Sequence, residues 1–335
     1  MAALFFPTAF SVHSGTSSLI VWAAGGAPSK DTFWTTDNGN QSTTRGGCDK
    51  TGCPPDHSNA GAELHTMLAL FSTGPMGFSD APGETDAVLL SRVCDSNGTL
   101  LQPSRPITSV DSTFDVTPGA APQGGYVLGT HTTLYDAASG TGMTAANYIL
   151  SHQLSSNFTL RGIDVWPPLA VAQPYVLVDW RKLLACSSKG GASAAACGVS
   201  NVTAPPSGSG TFAVIPSLPN GTDPFTATLT LIIPVCPAAG GGLGAALLGE
   251  PGKFATISVR RFVSAPVCTP RGLSFVVSGQ PGETFLLAAL ASGAQSVSVV
   301  SATVPFTPPG ALLDCSLEGS ALTCVPQTQE GALIL

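Results

Sequence analysis

Ala62-Glu63-Leu64-His65-Thr66-Met67-Leu68-Ala69-Leu70-Phe71-Ser72-Thr73-Gly74-Pro75-Met76-Gly77-Phe78-Ser79-Asp80 is the stretch whose reading decides the fold. Leu64, Met67, Leu68 and Phe71 fall at i, i+3, i+4 and i+7, the apolar stripe of a helix with one buried face, and Gly74-Pro75 ends that helix. Residues 75–79 then read as a short strand, which puts Asp80 at its carboxyl end. A helix feeding a strand that ends on an acid is the repeating unit of an α/β barrel, whose active site lies on the face formed by the strands' carboxyl ends. The expected fold is therefore α/β followed by all-β: the last strands and helices of an incomplete (β/α)8 TIM barrel, then an antiparallel β-sandwich.

The flanks extend the pattern in both directions. Val12 to Gly25 reads as a helix with Leu19, Trp22 and Ala23 on one side, Ala27 to Trp34 as a strand, and Thr35 to Asn59 as a long irregular loop over the barrel mouth. Asp86 to Cys94 reads as a further helix with Leu89, Leu90 and Val93 facing inward.

In this order the motifs resemble the closing part of the catalytic barrel of clan D glycoside hydrolases of the family 36 type, the α-galactosidase and raffinose-synthase-like enzymes. Ala62-Glu63-Leu64-His65 is similar to that family's Ala-Glu-Tyr-His, and Ser72-Thr73-Gly74-Pro75 to its Ser-Gly-Gly-Pro, with Thr73 replacing the first glycine; Ser79-Asp80 matches its Ser-Asp. Pro28-Ser29-Lys30-Asp31-Thr32-Phe33-Trp34 resembles the family's Pro-Asp-Trp-Asp-Met-Phe strand, with Asp31 in the second acidic position and Ser29 in place of the first acid. Leu89-Leu90, Asn97-Gly98-Thr99-Leu100-Leu101, Arg105-Pro106, Asp111 and Phe114 follow its exit from the barrel, so the likeness runs over roughly residues 12–115. It implies a carbohydrate substrate or ligand, with Asp31 and Asp80 accepting hydrogen bonds from sugar hydroxyls.

The same likeness withholds catalysis. In that family the nucleophile and the acid/base lie on earlier strands, whereas glycosidic hydrolysis needs two carboxyl groups about 5 to 10 Å apart. No catalytic residue is assigned here, and the isolated chain is expected to be inactive. The substrate-binding candidates are Asp31, Trp34 and Asp80. For each aspartate the competing assignment is a strand-end residue capping the next helix. For Trp34 the choice is between stacking on a sugar face and filling the barrel rim.

Composition points to an exported, turn-rich globular chain. Of 335 residues only 10% are charged, against about 25% in ordinary domains, while glycine (38) and proline (28) are abundant. A net charge of −7 with no basic stripe argues against nucleic acid and anionic membrane surfaces as partners. No stretch reads as a transmembrane span, because Phe225 to Leu248 is broken by Pro234, Pro237 and a glycine run. No metal or organic cofactor is implied: Gly240 to Gly244 lacks the context of a phosphate loop, and Cys48, Cys53 and His57 lack the second knuckle of a zinc site. The five histidines make no catalytic constellation.

Asn40, Asn97, Asn157, Asn201 and Asn220 open Asn-x-Ser/Thr sequons and are the candidate glycosylation sites. With nine cysteines they indicate a secretory, oxidising compartment, and so an extracellular or secretory-pathway location. Met1 to Thr8 does not read as a signal peptide, and the expected explanation is that the chain is the carboxyl-terminal portion of a longer protein. Cys186 with Cys197, Cys315 with Cys324, and Cys236 with Cys268 are the candidate disulfides beside Cys48 and Cys53, leaving Cys94 over.

The expected division is a barrel remnant over residues 1–112 and a β-sandwich over 113–335. Past Thr113 the period changes to two: Tyr126 to Leu134, Tyr148 to Leu154, Tyr175 to Trp180, Phe225 to Ile233, Phe254 to Val259, Leu273 to Val277, Thr284 to Leu290 and Ser296 to Val304 all read as strands. Glu250-Pro251-Gly252-Lys253 and Gln280-Pro281-Gly282-Glu283 are turns, and Ser187 to Ala196 and Ala238 to Gly244 are low-complexity insertions. The function expected from all this is that of a carbohydrate-active protein of the glycoside hydrolase type that lacks its catalytic pair. The alternative is a non-catalytic secreted glycoprotein whose sandwich binds glycan or protein.

Overall fold

The computed structural model describes residues 18–30, 32–35, 59–114, 125–135, 141–170, 172–187, 192–203, 210–218, 227–237, 244–292, 297–306 and 312–327. Asp31, Asn40, Cys48, Cys53, His57 and Asn220 fall outside these residues. In chain order the elements that matter are α1 (Asn59–Phe71), α2 (Ala87–Ser91), β1 (Thr108–Ser109), β2 (Tyr126–Tyr135), β3 (Gly142–His152), β4 (Phe158–Arg161), β5 (Pro174–Asp179), α3 (Trp180–Ser187), β6 (Val199–Thr203), β7 (Thr211–Ile215) and β8 (Ala227–Pro234). They continue with β9 (Ala246–Gly249), β10 (Val267–Thr269), β11 (Gly272–Ser278), β12 (Thr284–Ser292), β13 (Val297–Pro305), β14 (Leu312–Glu318) and β15 (Ala321–Pro326).

Every pairing between these strands is antiparallel. They form a six-stranded sheet in the order β1-β2-β3-β8-β5-β6, a four-stranded sheet β10-β11-β14-β15, a three-stranded sheet β13-β12-β9 and the pair β4-β7. The central strands of the six-stranded sheet are buried on both faces. Tyr148 and Leu150 of β3 enter the larger apolar cluster with α1, α3 and the three- and four-stranded sheets, while Ile149 between them enters a second cluster with Leu160 and Phe212 of the β4-β7 pair. That larger cluster takes side chains from both sides of residue 112, from Ala62 to Leu317.

The barrel expectation is corrected here. α1 forms where the apolar stripe predicts it, and Leu64, Met67, Leu68 and Phe71 are all buried. It does not, however, belong to an outer ring of helices around a parallel barrel. Leu70 and Ala69 on its other side are buried as well, and Phe71 packs on Tyr148 of the antiparallel sheet, the two rings 5.6 Å apart. Among the described residues the parallel strand contact is one bridge, Phe33 with Phe78, so residues 27–34 and 75–79 do not extend into barrel strands. Strand-rich antiparallel sheets dominate, and a (β/α)8 fragment is not what this chain forms. The local period specifies a helix and leaves open what covers it. Residues 18–23 are helical, yet on the expected side Leu19 is only half-buried and Trp22 and Ala23 are exposed, so that apolar side is not a buried face.

The strand readings from Tyr126 onward fared better, with one exception. Phe254 to Val259 is not a strand but a run of bends, in which Phe254, Ala255, Thr256, Ile257 and Ser258 are all buried. This irregular piece is held from every side. Trp180 Nε1 donates to the Lys253 carbonyl at 2.8 Å, Phe254 N donates to the Arg92 carbonyl, and Thr132 Oγ1 and Tyr148 Oη both donate to the Ile257 carbonyl at 2.7 Å. Ser258 Oγ donates to the Gln102 carbonyl. Gly249 lets the chain turn into it: its φ is +85°, and an added Cβ would stand 2.2 Å from the Thr256 carbonyl oxygen.

Disulfides join Cys186 to Cys197, Cys236 to Cys268 and Cys315 to Cys324, and Cys94 is free. The last pair lies directly across the β14-β15 hairpin. Separations of 11, 32 and 9 residues rank their effects, because closing a longer loop removes more entropy from the unfolded chain. Replacing Cys236 and Cys268 together by serine is expected to lower stability by about 4 kcal/mol, against about 3 kcal/mol for either of the other pairs. Urea denaturation of the three double variants checks the order, and equal losses would contradict it.

Candidate functional site

Of the sequence-derived candidates, Asp80 is the best defined in space. Its carboxylate is built into the fold by Thr35, whose backbone N–H donates to Oδ1 at 2.8 Å and whose hydroxyl donates to Oδ2 at 2.7 Å. Thr35 is fully buried and passes the connection on, its hydroxyl accepting from the Asp86 N–H at 2.8 Å. Asp86 in turn caps α2, accepting from the N–H groups of Val88 and Leu89. The acid therefore fastens the segment after Phe33 to the start of α2. Its uncommitted lone pairs are left to accept from an outside hydroxyl.

Trp34 is half-buried beside this knot, and Asp31 lies outside the described residues. Next to them, Lys30 stands with its Nζ 5.3 Å from the centre of the Phe33 ring, and Phe33 stacks on His65 of α1 at 6.3 Å and meets Phe78 edge-on at 5.6 Å. Burial, then the charges of Lys30 and His152, push the His65 imidazole down to about 3. At neutral pH it is an uncharged ring, unsuited to protonating a leaving group. Sequence brought Asp80 and Trp34 to notice, but it missed Thr35, the residue that determines what Asp80 does. A threonine directly after a strand-end tryptophan was the available signal, and its partner lies 45 residues away.

The three described sequon asparagines, Asn97, Asn157 and Asn201, are exposed. Asn97 lies within the 95–99 turn, held by Asp95 Oδ1 accepting from the Asn97 and Thr99 N–H groups. Asn157 Oδ1 accepts from Ser217 N–H at 2.9 Å, and Asn201 lies on β6 at the edge of the six-stranded sheet. His131 and His152 sit in β2 and β3. Among the described residues no group of three or more His, Cys, Asp or Glu side chains converges on a metal position, and no helix is long and apolar enough to cross a membrane.

No family model matches this chain, and no curated protein does. The likeness to family 36-type glycoside hydrolases is thus carried by the quoted motifs alone.

Proposed function

We propose that this chain is an extracellular, carbohydrate-binding protein that does not itself cleave glycosidic bonds. The observation that carries the reading is the Asp80 carboxylate, both of whose oxygens are held by Thr35. A nucleophile must approach the anomeric carbon, and a general acid must release its proton to the leaving oxygen. A carboxylate clamped by a backbone N–H and a buried hydroxyl suits neither task; it suits orienting a polar ligand at the rim. Three disulfides and exposed sequons support the extracellular setting.

The test is a pair of assays on the full chain. Neither α- nor β-linked nitrophenyl galactosides are expected to release nitrophenol above the buffer blank, while immobilised neutral oligosaccharides are expected to retain the protein. Clear turnover would overturn the non-catalytic half of the reading, and failure to bind any oligosaccharide would overturn the other half.

A further inference from the structure

The six-stranded sheet has two edges of unequal length. β1 is two residues long, whereas β6 runs for five, from Val199 to Thr203. Which of the β6 backbone groups look outward follows from the ladder. Asp179 N–H donates to the Gly198 carbonyl at 3.1 Å, one rung beyond the pairing of Val178 with Val199. Bonded and unbonded rungs alternate between antiparallel strands, so Ser200 and Val202 exchange their bonds with Leu177 and Tyr175, while Val199, Asn201 and Thr203 turn N–H and carbonyl away from β5. Two further bonds agree. Val199 N–H donates to the Ala194 carbonyl at 2.9 Å, and Pro174, opposite Thr203, accepts from Val235 N–H on the β8 side.

That leaves the outward backbone of Asn201 and Thr203. Among the described residues nothing else bonds to these N–H and carbonyl groups, and Ser200, Asn201 and Thr203 are all exposed. Unpaired edge groups are a template for another strand, which proteins blunt with charged side chains, proline, bulges or a cover. β6 carries no charged residue. At its start Ala194 takes the Val199 N–H, and two residues past Thr203 the sequence has Pro205-Pro206, neither with an N–H to donate. The open stretch in between is Asn201-Val202-Thr203, a sequon. Asn97 and Asn157, the other sequon asparagines among the described residues, lie outside the strands.

We propose that Asn201 carries an N-linked glycan whose task is to close this edge, keeping the protein from pairing with a second copy of itself through β6. This rests on the extracellular half of the reading above. Glycan and pairing exclude each other. Two copies joined antiparallel about Asn201 set the two Asn201 residues opposite each other, with Cα atoms about 5.5 Å apart. A branched oligosaccharide on either one fills the space the other strand needs. A glycan on Asn97 or Asn157 gives no such protection.

The experiment has two arms. Peptide mass spectrometry of the protein taken from its source, before and after enzymatic removal of N-glycans, is expected to find Asn201 occupied. Light scattering then gives the molar mass of the full chain made in the secretory pathway of a eukaryotic host, as wild type, Asn201→Gln, Thr203→Ala and Asn201→Pro. The wild type is expected to stay monomeric. Asn201→Gln and Thr203→Ala lose the glycan by different routes, and both are expected to double in mass as concentration rises. Asn201→Pro lacks the glycan too, but it also removes the outward donor and is expected to remain monomeric. Because both positions are exposed, Asn201→Gln and Thr203→Ala are expected to melt with the wild type, which separates self-pairing from misfolding. An empty Asn201 beside an occupied Asn97 or Asn157 would overturn the cap and leave the extracellular reading standing, whereas no occupied sequon at all would overturn both. Asn201→Gln and Thr203→Ala that stay monomeric, or an Asn201→Pro that doubles with them, would likewise overturn the cap.

Discussion

Taking the protein from pH 7 to pH 5 is expected to remove on the order of 4 kcal/mol of stability, before most carboxylates titrate. Two buried imidazoles are responsible. His65 is pushed down to about 3 by burial, the Lys30 charge and the His152 charge, and His131 to about 4 by burial and the Arg105 charge. In the unfolded chain both take a proton near 6.5, while the folded protein refuses it until the pH nears about 4 for His131 and about 3 for His65. The unfolded state therefore binds more protons throughout this window, so the stabilising contribution is complete above about pH 6.5 and drains away as the pH falls toward 4. Glu250 works the other way. Burial raises its carboxyl despite Arg261 and Lys253, so its own contribution grows slightly on acidification. Urea titrations at pH 7, 5.5 and 4 test the balance, with His65→Gln and His131→Gln each flattening the slope. Stability that stays level between pH 7 and 5 would refute it.

Arg261→Ala is expected to be the most damaging single substitution in the second half of the chain. Arg261 is 2% exposed and lies between two acids: its Nε faces Glu250 Oε2 at 3.2 Å, its Nη1 and Nη2 grip the two oxygens of Glu283, and Nη1 also donates to the Ser278 carbonyl at 2.9 Å. The guanidinium also covers the rings of Phe285 and Phe306, 4.8 and 5.7 Å from their centres. Burial pushes the Glu283 carboxyl up, but the hydrogen bonds and charge of Arg261 bring it below its ordinary value. Removing the guanidinium strands two buried carboxylates, at a cost of about 3 to 5 kcal/mol. Arg261→Met, which restores volume without charge, is expected to be nearly as harmful, whereas adding Glu250→Gln and Glu283→Gln to it is expected to recover a large part. Denaturant midpoints for the three variants decide the matter. A mild Arg261→Met would mean that packing, and not the orphaned acids, sets the cost.

What could be read from the sequence was local. The three disulfides and the spare Cys94 followed from spacing, because residues 9, 11 or 32 apart across a hairpin or a short connection are soon brought together. The period-two runs beginning at Tyr126 and Leu273 are strands because alternation is a property of the strand itself. Layering was not legible. α1 carries the stripe that a barrel helix would also carry, and only the contact of Phe71 with Tyr148, 77 residues later, shows that its cover is an antiparallel sheet. Phe254 to Val259 alternates like a strand, yet its carbonyls and N–H groups answer to side chains and loops instead of a neighbouring strand. For the candidate site the same division holds. Asp80 stood out as a strand-end acid, but its partner Thr35 is a product of contacts across the fold.

That irregular run from Lys253 to Ser258 has a consequence for how the protein comes apart. Its partners are Arg92 and Gln102 near α2, Thr132 and Tyr148 in the six-stranded sheet, and Trp180 at the head of α3. A piece of chain shared this widely has no allegiance to one layer. Neither the α2 region, nor α3, nor the six-stranded sheet can open without stripping hydrogen bonds from it, so these three are expected to open together.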